Sequence, residues 1–302
     1  MKIRVILSAL LFCLGAMAEV VTISGPMMGL VYSGGGIRPV FGIPGAAYVG
    51  TTLPLDFTPD SVMIAPEQSF ALAMSARKLV LIDASKGKLT MREVDGVSDA
   101  ARGWFSPAGK SALLISNDGF RAQLLTGMPD QPRVSAQFVL SEVAAFAAIS
   151  EDARFALTAS DSGVVSQWDV DGNLRGAVSL GDIATLQFYN RSGDALAASR
   201  SNKKLYKLRE SGEAIPIRDI DAIAVATSGD DSIIYAVSAD GAIQAMRENG
   251  ESTGTYSSPI QVARLQRMGG VLRLNDYGSG PLAVFDGSQV LLIPPAKDGG
   301  DQ

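Results

Sequence analysis

The sequence predicts an all-β protein of the β-propeller class, a ring of four-stranded antiparallel sheets called blades. One turn-and-strand pattern recurs five times, and its equivalent turn positions, residues 66, 107, 151, 191 and 229, lie 41, 44, 40 and 38 residues apart. A period near 40 residues with about four short strands in each unit is typical of propellers. No stretch of the chain shows a helical period over ten or more residues.

Each repeat begins with a turn rich in Ser, Asp, Pro and Gly and continues into an apolar strand. Proline and glycine supply the backbone angles of tight turns, and Asp or Ser side chains bond to the turn backbone. A second turn follows several of the strands, as at Gly119 and Gly241, each preceded by Asp, which favours hairpins. The five apolar runs are residues 70–74, 111–115, 155–159, 195–198 and 233–237.

The two ends of the chain supply the remaining strands. Residues 30–33 and 37–42, joined by three glycines, resemble the outer half of a blade. Together with a strand at residues 20–23 and four segments near the C-terminus, they make about seven strands, enough for two more blades. Seven blades are therefore favoured over six. Pairing strands from both termini in one blade would close the ring and cover open strand edges. The four C-terminal segments are residues 262–267, 271–275, 282–285 and 290–293.

The N-terminus predicts export. Lys2 and Arg4 precede an apolar run of 11 residues, 5–15, and Ala16 and Ala18 place small side chains at the −3 and −1 positions of a cleavage site. This three-part layout is that of a secretory signal peptide. The apolar run is too short for an uncleaved anchor, because spanning a bilayer takes about 20 apolar residues.

Cys13 raises the alternative of a lipoprotein signal, but Leu11 and Phe12 before it are large where such a signal needs small residues. We therefore expect cleavage of residues 1–18 as a signal peptide. Residues 19–296 are expected to form one propeller domain, and residues 297–302 a disordered C-terminal tail. The expected location of the monomeric product is periplasmic or secreted.

Residue types that the sequence lacks exclude several chemistries. The chain has no histidine, and its one cysteine lies in the predicted leader. Histidine-dependent triads, histidine-ligated metals and thiolate nucleophiles are therefore excluded from the exported chain. Loss of Lys2 and Arg4 leaves 24 basic residues against 31 acidic ones, a formal net charge of −7. An acidic protein without a basic stripe is not expected to bind nucleic acid. After residue 18 no apolar stretch is long enough to cross a membrane.

Two segments admit a ligand-binding interpretation beside a structural one. Asp169, Asp171 and Asn173 alternate as Ca²⁺ ligands would, but Leu180 stands at the twelfth position, where such a loop needs an acidic ligand. A hairpin turn is therefore favoured. The glycine run 34–36 could bring backbone amides to an anion, but no Lys-Ser/Thr pair follows it, so a hairpin connection is favoured.

Charged and aromatic residues suggest three more candidates. Asp230 and Asp231 could form an acid–base pair, but adjacent residues in a turn usually point apart, so a structural role is favoured. Trp104, Phe105 and Trp168 are expected to pack between blades rather than to form ligand platforms. A locally basic blade is expected to form a solvated face, with a partner-binding patch as the alternative; its residues are Arg200, Lys203, Lys204, Lys207 and Arg209.

Part of the third repeat resembles a known family. Residues 159–169 read ASDSGVVSQWD, which is similar to the end of a WD40 repeat, where a Ser-x-Asp-Gly turn leads into a strand ending in Trp-Asp. Over most of residues 60–250 the period and turns resemble those of WD40-like bacterial propellers. The other copies lack the terminal Trp-Asp, and the family's Gly-His pair cannot occur without histidine. The resemblance implies the fold and brings no activity with it, because propellers host many unrelated functions.

These observations favour a non-enzymatic scaffold that binds a protein, peptide or glycan. No catalytic, cofactor-binding or metal-ligating residue is assigned, and no cofactor is expected. The alternative is a calcium-dependent propeller enzyme of the lactonase or hydrolase type, in which several carboxylates converge on the central channel. The two hypotheses differ in a visible feature, because the enzyme needs at least three carboxylates facing that channel.

Expression of the full chain in a host with a general secretory pathway should give an exported protein that begins at Glu19. Intact-mass measurement and N-terminal sequencing check this outcome. Ala18→Arg should leave the leader attached, because the −1 position requires a small side chain, whereas Glu19→Gln should be processed normally. A cytoplasmic product that retains residues 1–18 would contradict the prediction.

Overall fold

A computed structural model describes residues 25–262, 264–268, 270–274 and 282–294. Within these ranges the chain forms seven antiparallel sheets and no helix; six sheets have four strands and one has three. The sheets surround one central cavity to which every sheet contributes. The protein is therefore a seven-bladed β-propeller, which confirms both the predicted fold class and the favoured blade number.

The strands follow one another along the chain, blade by blade. Blade 1 contains β1 (Met27–Ser33), β2 (Gly36–Phe41) and β3 (Tyr48–Val49). Blade 2 contains β4 (Ser61–Ile64), β5 (Phe70–Ser75), β6 (Lys78–Asp83) and β7 (Thr90–Glu93). Blade 3 contains β8 (Ala100–Phe105), β9 (Ser111–Ser116), β10 (Arg121–Thr126) and β11 (Arg133–Val139). Blade 4 contains β12 (Ala144–Ile149), β13 (Phe155–Ser160), β14 (Val164–Asp169) and β15 (Leu174–Ser179).

The last three blades repeat this arrangement. Blade 5 contains β16 (Ile183–Phe188), β17 (Ala195–Ser199), β18 (Lys204–Leu208) and β19 (Ala214–Asp219). Blade 6 contains β20 (Ala222–Thr227), β21 (Ile234–Ser238), β22 (Ala242–Met246) and β23 (Ser252–Ser257). Blade 7 contains β24 (Gln266–Met268), β25 (Val271–Arg273), β26 (Leu282–Phe285) and β27 (Val290–Ile293).

The five repeats of the sequence are blades 2 to 6. Positions 66, 107, 151, 191 and 229 all fall in the turn between the first and second strands of a blade. The first strands of blades 2 to 6 contact one another in series, so they form the inner ring. We call the face on which these strands begin the upper face and the face on which they end the lower face.

Neighbouring blades pack through their second strands, which are buried on both sides. In β5, Phe70 and Leu72 pack with residues of blade 3, whereas Ala71 and Ala73 pack with residues of blade 1. Because side chains alternate between the two faces of a strand, each second strand gives one row of side chains to each neighbour. This double burial explains why the repeats appear in the sequence as nearly continuous apolar runs.

Aromatic residues fill the spaces between blades, as the sequence predicted. Trp168 is buried against Phe138 of blade 3, with ring centroids 5.8 Å apart. Its indole Nε1 donates a hydrogen bond to Thr158 Oγ1 at 2.9 Å, so the polar edge of the ring is satisfied inside the core. Phe105 packs edge-on against Phe70 of blade 2, with centroids 5.6 Å apart.

Blade 1 has only the outer part of a blade within the described residues. The end of β1, at Ser33, lines the cavity beside the start of β4, whereas Gly29 near the start of β1 lies against Gln68, after the end of β4. Strand β1 therefore runs antiparallel to the first strands and occupies the position of a second strand, so β1 and β2 lie one strand further in than the outer half that the sequence predicted. The predicted strand at residues 20–23, the leader and the C-terminal tail lie outside the described residues.

The two ends of the chain meet at the junction of blades 1 and 7, and the predicted strand at residues 20–23, whose pairing would test closure within one blade, lies outside the described residues. The described strands of the two ends do not share a blade; β1–β3 and β24–β27 form separate sheets. Blade 7 already receives four strands from the C-terminal part of the chain, so its edge needs no N-terminal strand. The two blades share a buried apolar cluster, and the Val49 backbone N–H donates to the carbonyl of Pro294 at 3.0 Å.

Two glutamines link blade 2 to blade 7 across this junction. Gln68 is buried, and its Nε2 donates to the carbonyl of Arg267 at 2.7 Å, while Gln266 Nε2 donates to the carbonyl of Ile64 at 2.9 Å. Gln68 passes directly against the backbone of Gly29. A Cβ on Gly29 would lie 2.5 Å from the Gln68 Cβ, so this contact requires glycine.

Gly29→Ala should destabilise the protein by about 1–3 kcal/mol, because the added methyl group overlaps Gln68 and forces the junction apart. Urea unfolding of wild type and variant measures the difference. Gly176→Ala is the matched control, because a Cβ at that strand position meets no atom within 4 Å, and its stability should change by less than about 0.5 kcal/mol. Equal stability of the two variants would show that the junction does not depend on this contact.

Candidate functional site

The central channel is the candidate functional site. It is a cavity of about 920 Å³, lined by residues of all seven blades. The wall consists mainly of the first strands β4, β8, β12, β16, β20 and β24, with the end of β1 completing it at the upper face. Four of these strands have six residues, which gives a channel length of about 20 Å at ~3.3 Å per residue.

The middle of the channel wall is largely apolar. Side chains such as Val62 and Ile223 line it, with scattered hydrogen-bonding groups from Thr185 and Gln187. On β16 the partly exposed residues are Thr185 and Gln187, whereas the residues beside them are buried. These two side chains therefore point towards the channel.

The charged residues that line the channel are mostly cationic. Of the described lining residues, four are arginines and one is a carboxylate, Asp60. This balance is opposite to that of the whole chain, whose formal net charge is −5. The arginines are Arg200, Arg264, Arg267 and Arg273.

The arginines occupy both ends of the channel. Arg264 precedes β24, and Arg200 lies in the turn between the second and third strands of blade 5, so both belong to the upper face. Arg267 lies within β24 and reaches the lower face, where its Nη1 donates to Asn190 Oδ1 at 2.5 Å. Arg273 ends β25 and is buried.

A hydrogen-bond network holds Arg267 in place. Asn190, which accepts from Arg267, donates through Nδ2 to Asp231 Oδ1 at 2.6 Å. Asp231 also accepts from Thr227 Oγ1 at 2.9 Å and from the Arg191 backbone N–H at 3.0 Å. The network joins the lower turns of blades 5 and 6 to blade 7. Among the described residues Arg267 makes no ion pair; its side-chain partner is a neutral amide.

The basic residues of blade 5 do not form one patch. Each of the five pairs with an acidic residue, and the distance between the charged nitrogen and the carboxylate oxygen is 2.8–3.9 Å. Lys207 is only about one-fifth exposed and pairs with both Asp194 and Glu248. Burial lowers the pKa of Lys207, but the hydrogen bonds that its ammonium donates to Asp194 and Glu248 outweigh burial and raise it. A lysine held protonated in this way joins blades 5 and 6 and is not suited to act as a nucleophile.

Tyr189 lies beside this ion-pair cluster. Its ring packs under the Lys207 ammonium, 5.7 Å from the centroid, and its buried hydroxyl has no hydrogen-bond partner among the residues that the structure describes. Burial raises the pKa of Tyr189, with a further contribution from the negative charge of Glu248. The phenol therefore stays neutral, and its role is packing between blades.

The candidate calcium loop is a capped hairpin turn. Asp169 Oδ1 accepts from the backbone N–H groups of Asp171 at 3.0 Å and Asn173 at 2.9 Å. The hydrogen bond from the Asn173 backbone lowers the pKa of Asp169. Because the carboxylate is used to close the turn between β14 and β15, the favoured structural interpretation is supported.

The adjacent carboxylates of Asp230 and Asp231 point apart. Asp230 Oδ1 accepts from the hydroxyls of Ser228 at 2.7 Å and Ser232 at 2.8 Å, and the Ser228 bond lowers the pKa of Asp230. Asp231 is turned towards Asn190 instead. The two residues cap separate parts of the lower face and do not form an acid–base pair.

Residues 34 and 35 form the β1–β2 hairpin connection and lie at the upper rim of the channel.

The condition that distinguishes the calcium-dependent enzyme is not met. The described channel lining contains one carboxylate, where three or more are needed. Across the described residues no group of three or more Asp, Glu, His or Cys side chains is placed to hold a metal ion. The geometry thus does not favour the enzyme alternative.

Sequence reasoning missed the arginines of blade 7. Arg264 and Arg267 fall in the segment 262–267, which the sequence predicts as a strand. The corresponding first strands of the other blades are mostly apolar. Two arginines in a segment predicted as an inner strand could therefore have indicated that the channel is charged.

No known protein-family model matches this chain, and no curated protein is significantly similar to it. Among the described residues there is no helix with the length and apolarity required to cross a membrane.

Millimolar Ca²⁺ should leave the thermal midpoint of the purified protein unchanged, and EDTA should not lower it. A ligand that binds only the native state at a hundredfold excess over Kd would add about 2.7 kcal/mol. That increment would raise the midpoint by several degrees, which differential scanning calorimetry resolves. Mg²⁺ at the same concentration controls for ionic strength. A rise specific to Ca²⁺ and reversed by EDTA would contradict the prediction.

Proposed function

We propose that this chain is an exported, non-enzymatic scaffold that binds a segment of a protein, a peptide or a glycan in its central channel. The observation that carries the proposal is the cavity of about 920 Å³ to which all seven blades contribute. Ligand sites are typically concave, mostly apolar and furnished with a few polar groups, with volumes of roughly 300–1,000 Å³. The channel has all three properties.

The architecture supports a preformed site. The wall strands are held from behind by second strands buried on both sides, and polar links such as Arg267–Asn190 fix the lower turns. A rigid site binds without the entropic cost of ordering its own chain. The channel length of about 20 Å admits an extended segment of about six residues.

Three further parts of the proposal rest on the sequence. Export rests on the signal-peptide layout of residues 1–18. Kinship with WD40-like bacterial propellers rests on the 40-residue period and on the turn that leads to Trp168 and Asp169. A monomer that does not bind nucleic acid fits the acidic composition.

Channel filling tests the proposal. Thr185 points into the channel, so Thr185→Trp should obstruct it, whereas Thr90→Trp adds the same side chain on the exposed outermost strand of blade 2. Wild type and both variants are applied to arrays of short peptides and of glycans, and hits are measured by calorimetry. Thr185→Trp should weaken binding at least tenfold, and Thr90→Trp should not.

Two outcomes would overturn the proposal. One is the absence of any peptide or glycan ligand for wild type. The other is equal binding by wild type and Thr185→Trp, which would place the binding surface outside the channel. Thermal unfolding of both variants establishes that each is folded.

A further inference from the structure

We propose that the ligand of the central channel is an extended acidic peptide segment, whose carboxylates pair with Arg264 and Arg267 while its apolar side chains contact the wall. This assignment rests on the proposed function and narrows it to one class of ligand. It follows from five observations on the channel: its charge, the state of Arg267, the placement of the arginines, the nature of the wall and the strand edges that face it.

The charge of the channel selects an anion. Among the described residues that line it are four arginines, of which Arg200 pairs with Asp182, and a single carboxylate, although the chain as a whole has an excess of acidic residues. A cleft lined by one sign of charge, with apolar walls, concentrates ligands of the opposite sign. An acidic ligand would also be repelled by the rest of the surface and therefore directed to the channel.

Arg267 is the cation that most needs an anionic partner. It is partly buried on the channel wall, and the partner of its guanidinium in the described structure is the neutral amide of Asn190. The nearest carboxylate in the network, Asp231, already accepts three hydrogen bonds. Removing a cation from water without an opposite charge is costly. A ligand carboxylate can bind the remaining N–H groups in the bidentate geometry that guanidinium favours.

The arginines are spaced for an extended chain. Arg264 precedes β24 at the upper face, whereas Arg267 reaches the lower face, so the two cations lie towards opposite ends of a channel about 20 Å long. An extended segment that spans the channel can therefore place one acidic side chain near each end. Arg200 of blade 5 also lies at the upper face, where it pairs with Asp182 at 3.9 Å.

The wall favours a peptide over a sugar. Sugar rings bind to open aromatic faces, and two of the channel aromatics are already engaged: Arg102 lies 5.9 Å from the Trp104 ring centroid, and Phe105 packs on Phe70. Much of the rest of the wall is aliphatic, as at Val62 and Ile223, and suits apolar side chains.

The strand edges also favour a peptide. The first strand is at the edge of each four-stranded sheet, so one row of its backbone groups faces the channel. This edge already accepts a hydrogen bond from a side chain, because Arg102 Nη2 donates to the carbonyl of Ala144 at 2.6 Å. An extended peptide backbone can bond to such an edge as an added strand does.

Binding of defined peptides to the purified protein tests the assignment. The probes are fluorescent eight-residue peptides of Val, Ser and Ala with two variable positions, one near each end, occupied by Glu, Gln or Lys. The Glu peptide should bind at least tenfold more tightly than the Gln peptide, and the Lys peptide should not bind. The affinity for the Glu peptide should fall as salt is raised.

Substitutions identify the residues that bind the acidic side chains of the peptide. Arg264→Gln and Arg267→Gln should each weaken binding of the Glu peptide about tenfold and leave the Gln peptide unaffected. Arg247→Gln is the control, because Arg247 is exposed and pairs with Glu251 away from the channel. If Arg267→Gln does not fold, Arg264→Gln, at the exposed mouth, decides the outcome alone.

The failure of this assignment is distinguishable from failure of the proposed function. Equal binding of the Glu, Gln and Lys peptides, or no effect of the arginine substitutions, would overturn the acidic assignment. Tighter binding of heparin or of an oligonucleotide would overturn the peptide assignment. A neutral peptide or glycan whose binding is lost in Thr185→Trp would overturn this inference but leave the channel scaffold standing. The absence of any ligand would overturn both.

Discussion

The structure depends on the packing of each blade against both of its neighbours. A single small sheet cannot bury its apolar surface, and in this protein the second strand of each blade is covered from both sides. Strand β5 shows how this works, since Phe70 and Leu72 pack towards blade 3 while Ala71 and Ala73 face blade 1. The alternation of large and small side chains sets the distance between blades, and seven such contacts close a ring around a channel. No blade is independent, so the fold forms as one unit.

The junction of blades 1 and 2 with blade 7 is where this regular packing is interrupted. Blade 1 contributes three described strands, and blades 1 and 7 share a buried apolar cluster. Hydrogen bonds between blades 2 and 7 supplement this apolar contact. Gln68 reaches past Gly29 to the backbone of Arg267, and the Arg267 side chain continues the connection to Asn190. Arg267 thus takes part in closing the ring and also gives the channel one of its positive charges. This coupling means that the shape of the candidate site depends on the integrity of the junction.

Turn chemistry accounts for several of the acidic residues without assigning them a function in binding. Asp169 and Asp230 close hairpin turns through their own backbone neighbours, and Asp231 joins two turns of the lower face. In blade 5, Lys207 lies between Asp194 and Glu248 and holds two blades together. Once these groups are paired, the charge that faces the channel is mainly that of arginine. The acidic chain therefore encloses a cationic cavity.

The sequence by itself determined the fold class, the repeats, the positions of the turns and the favoured number of blades. These features depend on local rules: the 40-residue period, the alternation of apolar residues and the preference of Asp, Ser and Gly for turns. It also predicted the roles of Trp168 and Asp169 correctly, because both act within their own repeat or the adjacent one. Only the tertiary structure decided how the ring closes and which side chains meet in the channel. Gln68 and Arg267 are 199 positions apart, and Arg264 and Arg200 come from different blades. Their proximity is set by the curvature of the whole ring, for which no local pattern exists in the sequence.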